Sequence, residues 1–74
     1  MGRLRVLSGE EVCRILKANG FENVRQRGDH RVMQKKEEGT TTTVPVPLHK
    51  EVAKGTLGSI VRQSGLPRRL FEEE

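Results

Sequence analysis

Two histidines, His30 and His49, are the side chains in this 74-residue sequence best suited to chemistry. A histidine ordinarily titrates near pH 6.5, so it can take up and release a proton near neutrality. General acid or base action of that kind is typically worth about 10² to 10⁴ in rate. His30 follows the turn signal Gly28-Asp29 and stands among Arg25, Arg27, Arg31 and Lys35. RNA is the natural substrate for so small a set, because its 2′-hydroxyl is an internal nucleophile already placed beside the phosphate. One base to take the hydroxyl proton and a few cations to hold developing charge on phosphate are enough for strand cleavage without a metal. DNA lacks that hydroxyl. The ordinary alternative for a histidine in a hairpin is solvent exposure or turn packing.

Other chemistries find less support. Glu37-Glu38 and Glu72 to Glu74 cluster at a turn and at the end of the chain, where solvated charge explains them. Ser8 and Ser59 have no partnered histidine in local sequence, and Gly55-Thr56-Leu57-Gly58 lacks the spacing of a phosphate loop. Cys13 with His30 and His49 falls short of the four ligands in paired short spacings that a structural zinc usually needs. A lone cysteine closes no intrachain disulfide, so Cys13 is expected to be an inert apolar filler. Neither a metal nor a cofactor is expected.

The elements that must position the histidines are read from periodicity. Ser8-Gly9-Glu10-Glu11 has capping-box spacing and predicts a helix that buries Val12, Ile15 and Leu16, with Cys13 and Ala18 beside them, and stops at Gly20. Three antiparallel strands are predicted at residues 23–27, 30–36 and 40–46, with turns at Gly28-Asp29 and Glu37-Glu38-Gly39. The threonine run and the Val-Pro-Val-Pro that follows suit an edge strand, where missing N–H donors do little harm. After a loop at 48–54, Leu57, Ile60 and Val61 mark a second helix from about Gly55-Thr56 to Gly65. Pro67 then starts a final turn that folds Leu70 and Phe71 onto the core, while Glu72 to Glu74 are expected to fray. The fold class is α+β, with both helices on one face of a three-stranded sheet. Arg25 and Arg27 share a face of the first strand, as do Arg31 and Lys35 on the second. Val32 and Met33 are adjacent and point opposite ways, which leaves open the set that faces inward.

Length and charge bound the rest. Leu, Ile, Val and Phe supply 19 of 74 residues, above the roughly 20% below which chains tend to be disordered, so one thin domain over residues 1–74 is expected. The chain carries 14 basic against 10 acidic residues, and setting aside the three terminal glutamates leaves 14 against seven. That balance favours a polyanion or an acidic protein as partner, a merely soluble basic surface being the plainer explanation. Met1 to Leu7 lacks the apolar run of a secretory signal, Val6 stands where a myristoylation motif needs Ser or Thr, and no stretch suits a transmembrane helix. A cytoplasmic location, away from membranes, is expected.

Several motifs recur together in one order. Gly28-Asp29-His30-Arg31-Val32-Met33, Val46-Pro47-Leu48-His49, Lys54-Gly55-Thr56-Leu57-Gly58-Ser59-Ile60 and Ser64-Gly65-Leu66 resemble the HicA, or YcfA-like, toxin family over most of the chain. The resemblance implies a double-stranded-RNA-binding-domain-like fold in the order α-β-β-β-α. It also implies a messenger-RNA-cleaving ribonuclease of a toxin–antitoxin pair, silenced by a HicB-type antitoxin, with any higher oligomer formed only through that antitoxin. The family's Gly-Ser-His motif falls on Gly28-Asp29-His30, which carries the catalytic role to His30. Asp replaces Ser there, and a carboxylate so placed either raises the imidazole pKa or repels RNA. The usual aromatic three residues after the histidine is Met33. His49 matches a frequent family position, for which a structural role in the loop before the second helix is preferred to a second acid or base. Arg27, Arg31 and Lys35 are the candidates for phosphate contact, and an acidic antitoxin is the expected protein partner. The competing hypothesis is a non-catalytic module that binds duplex RNA by shape and backbone contacts. A purely protein-binding adaptor is the third, and it predicts no salt-sensitive RNA affinity.

Overall fold

In a computed structural model that describes residues 2–73, the order is α1 (Gly9–Ala18), β1 (Glu22–Arg27), β2 (His30–Glu37), β3 (Thr40–Pro47), α2 (Lys54–Ser64) and a 3-10 turn, Arg68–Phe71. Helix α1 begins where the capping box requires. The Ser8 hydroxyl accepts from the Glu11 amide at 3.1 Å, and the Glu11 carboxylate accepts from the Ser8 amide at 2.9 Å. It ends at Asn19, and Gly20 takes the positive φ of 98° that turns the chain toward β1. Val12, Cys13 and Leu16 are buried on its inner side, while Ile15 is only half-buried and Ala18 is exposed. The stripe is thus rotated by part of a turn toward Cys13 relative to the expected one.

The sheet is antiparallel in the order β1-β2-β3, with β3 on an edge. Met33 pairs with Val44, and these two, with Val46, form the inner surface on which both helices pack. The opposite face carries the alternate residues, for side chains along a strand point to opposite sides. Every residue of β1 is exposed, and a register shift between Asn23 and Arg25 leaves Val24 bulged from the ladder. Helix α2 has no side-chain cap at its start and closes on Gly65 at a φ of 70°. Its Leu57, Ile60 and Val61 join Leu4, Leu7, Phe21 and Phe71 in one cluster of buried side chains.

At the end of the chain, where fraying is expected, Glu72 and Glu73 lie beside the N-terminal segment: Leu4 and Glu72 form an antiparallel bridge, the Glu73 amide donates to the Arg3 carbonyl at 2.9 Å, and the Arg68 guanidinium donates to the Glu72 carboxylate at 2.7 Å. The burial of Phe71 just before them draws the backbone alongside the N-terminal segment. Glu74 lies outside the described residues. Among the described residues, no helix is long and apolar enough to cross a membrane.

Candidate active site

The hairpin between β1 and β2 turns through two residues, Gly28 and Asp29, with Arg27 opposite His30 across the ladder. Gly28 adopts a φ of 58°, which an L side chain rarely takes, and Asp29 does not. That order of conformations is the one a Gly-X hairpin turn uses. His30 is thereby presented at the tip of the sheet, half exposed.

Asp29 then gathers the site. Its main-chain carbonyl accepts from the Leu48 amide at 2.6 Å, so the chain leaving β3 is docked against the hairpin. Its carboxylate accepts from His30 Nδ1 at 2.9 Å through one oxygen and from His49 Nε2 at 3.0 Å through the other. These two hydrogen bonds, that from His49 first and that from His30 second, hold the Asp29 carboxyl below its ordinary range. An ionised carboxylate only accepts, which places a proton on His30 Nδ1 and on His49 Nε2. When each ring is neutral, the lone pair is therefore on His30 Nε2 and on His49 Nδ1. The first is the arrangement in which a carboxylate orients an imidazole for proton abstraction and stabilises the imidazolium that results.

The loop that carries His49 is fixed by backbone contacts to the segment around the start of α1. The Gly9 amide donates to the His49 carbonyl at 2.9 Å, and the Val52 amide to the Leu7 carbonyl at 2.8 Å. A Cβ on Gly9 would overlap the main chain of Pro47 and Leu48, so only glycine allows α1 to start this close to the end of β3. Both histidines line a cleft of about 420 Å³ between this loop, Pro45 and Pro47 of β3, and Thr56, Ser59 and Gln63 of α2.

The basic residues divide between the two faces of the sheet. Arg27 is the register partner of His30, and Arg25 that of Val32, which puts both on the open face. Arg31 and Lys35 instead flank Met33 on the helix side. Arg31 forms a two-pronged pair with Glu10 of α1 at 2.9 and 3.2 Å. Lys35 lies 3.8 Å from Glu37 and 6.0 Å from the centre of the Phe21 ring. Of the three expected phosphate contacts, only Arg27 shares a face with His30.

Cys13 is buried in the core, and that burial pushes its thiol pKa up, away from a reactive thiolate. Among the described residues, no group of three or more His, Cys, Asp or Glu side chains is placed to hold a metal ion. The carboxylate shared by two histidines is the part of the site that sequence reasoning missed. The signal was present only as an Asp at the turn and a second His in a loop, 20 residues apart.

A comparison with protein families matches residues 9–66 to the model described as HicA toxin of bacterial toxin-antitoxin, a span that takes in α1, the sheet and α2. No curated protein matches the chain.

Proposed function

Because this chain belongs to the HicA toxin family, the toxin side of a toxin–antitoxin pair, we propose that it is a metal-independent endoribonuclease that cleaves messenger RNA and is silenced by a HicB-type antitoxin. The observation that carries this is His30 itself. Its Nδ1–H is held by Asp29 at 2.9 Å, its Nε2 is left to act as a base, and Arg27 stands beside it across the ladder. His30 accepts the 2′-hydroxyl proton while Arg27 and Arg25 hold the phosphodiester by charge. The acidic antitoxin covers the same open face and competes with RNA for it.

The test replaces His30 with alanine in the folded protein. Cleavage of RNA is expected to fall by about 10² to 10⁴ and growth arrest on expression to be lost, with the wild-type rate unaffected by chelator. Undiminished cleavage by the variant overturns the assignment. RNA that is bound by the wild-type chain but left uncut at every pH would instead mark a non-catalytic RNA-binding module.

A further inference from the structure

Transesterification of RNA needs two proton transfers, one from the attacking 2′-oxygen and one to the departing 5′-oxygen, on opposite sides of phosphorus. A single imidazole cannot occupy both positions at once. The structure holds a second imidazole beside the first, for His30 and His49 stand on the two oxygens of one carboxylate and line the same cleft. The charged groups around them are unequal. His30 faces Arg27 across the ladder, which sets a cation for the phosphate beside it. His49 is followed by Lys50 and by Glu51, of which Glu51 lines the cleft, while α2 contributes only the uncharged Thr56, Ser59, Ile60 and Gln63.

Building on the ribonuclease reading above, we propose that His49 is the second catalytic residue, the general acid that protonates the leaving 5′-oxygen. His30 Nε2 takes the proton of the 2′-hydroxyl as the O2′–P bond forms. The P–O5′ bond breaks with its electron pair on O5′, which receives the proton from Nδ1 of the His49 imidazolium. The products are a 2′,3′-cyclic phosphate and a 5′-hydroxyl. His30 ends protonated and His49 neutral, and proton exchange with water restores both. Asp29 keeps the reacting nitrogens of the two rings free by holding the others.

The experiment uses His49→Gln, whose side-chain amide can still donate to Asp29 but transfers no proton, with His49→Ala as a second variant. Each is assayed on an RNA that the wild type cleaves and on the same RNA with sulfur in place of the 5′-bridging oxygen at the mapped linkage. A thiolate leaves without protonation. The His49 variants are expected to cut the natural RNA about 10² to 10⁴ more slowly and to approach the wild-type rate on the sulfur-bridged RNA, whereas His30→Ala stays slow on both. Wild-type rates on natural RNA, or an equal loss on both substrates, overturn the role of His49 while leaving His30 in place. A wild-type chain that cleaves no RNA overturns the ribonuclease reading and this inference with it.

Discussion

Replacing Asp29 with asparagine separates the two effects that a carboxylate exerts beside a phosphate-binding face. Asparagine keeps the size but loses the charge, and it has one acceptor oxygen where two histidines need one each. If Asp29 orients the rings, kcat for RNA cleavage falls by about 10- to 100-fold, the worth of a charge-assisted hydrogen bond, while KM stays level or drops. A lower KM at unchanged kcat would show that repulsion of RNA is its main effect. Acid acts on the same contact with a definite sign. The carboxyl is depressed by its two histidine partners, so its stabilising contribution is full above the ordinary aspartate range and is lost as pH falls through the lower value of the folded state. His30 was legible in the sequence because a turn signal, a histidine and a strand are contiguous there. The link from Asp29 to His49 was not, since it depends on a loop returning to the hairpin after two further strands.

The contact between α1 and the β3–α2 loop couples the core to the site, and Gly9 is its narrowest point. Gly9→Ala is expected to destabilise the protein by about 1 to 3 kcal/mol through overpacking against Pro47. In a domain of this size each kcal/mol moves Tm by about 4 to 8 °C. A melting curve checks it, and an unchanged Tm would mean that the helix start yields without cost. The helices, the three strands and both turns followed from local signals, namely the capping box, the glycines and the runs of β-branched residues. The inward side of β2 was not legible, because Val32 and Met33 are both apolar and alternation alone does not choose between them. The packing of helices on Met33 decides, and with it Arg31 goes to Glu10, while Arg25, Arg27 and, farther from His30, Lys36 stand on the open face. The bulge at Val24 helps to set this arrangement, since it shifts the register of the rest of β1 by one residue.

At the scale of the whole molecule, a thin core and an uneven charge distribution make binding and stability one subject. A partner that binds only the folded chain raises its melting temperature by mass action, and the complex with the antitoxin is expected to melt above the free toxin. RNA affinity should fall with salt. Neutralising Arg25 and Arg27 together is expected to lower the slope of log affinity against log salt by about 2, whereas Arg31→Gln leaves it unchanged. Equal slopes for all the variants would place the phosphate elsewhere. The hydrogen bonds that dock the His49 loop, from Leu48 to Asp29 and from Gly9 to His49, run between main-chain atoms. Main-chain atoms are the same whatever residue is encoded, so the side chains at 29 and 49 can change through mutation while the docking persists. A lineage could therefore lose and regain activity at these two codons without passing through an unfolded intermediate, and a defective allele could still yield a folded chain able to occupy its antitoxin.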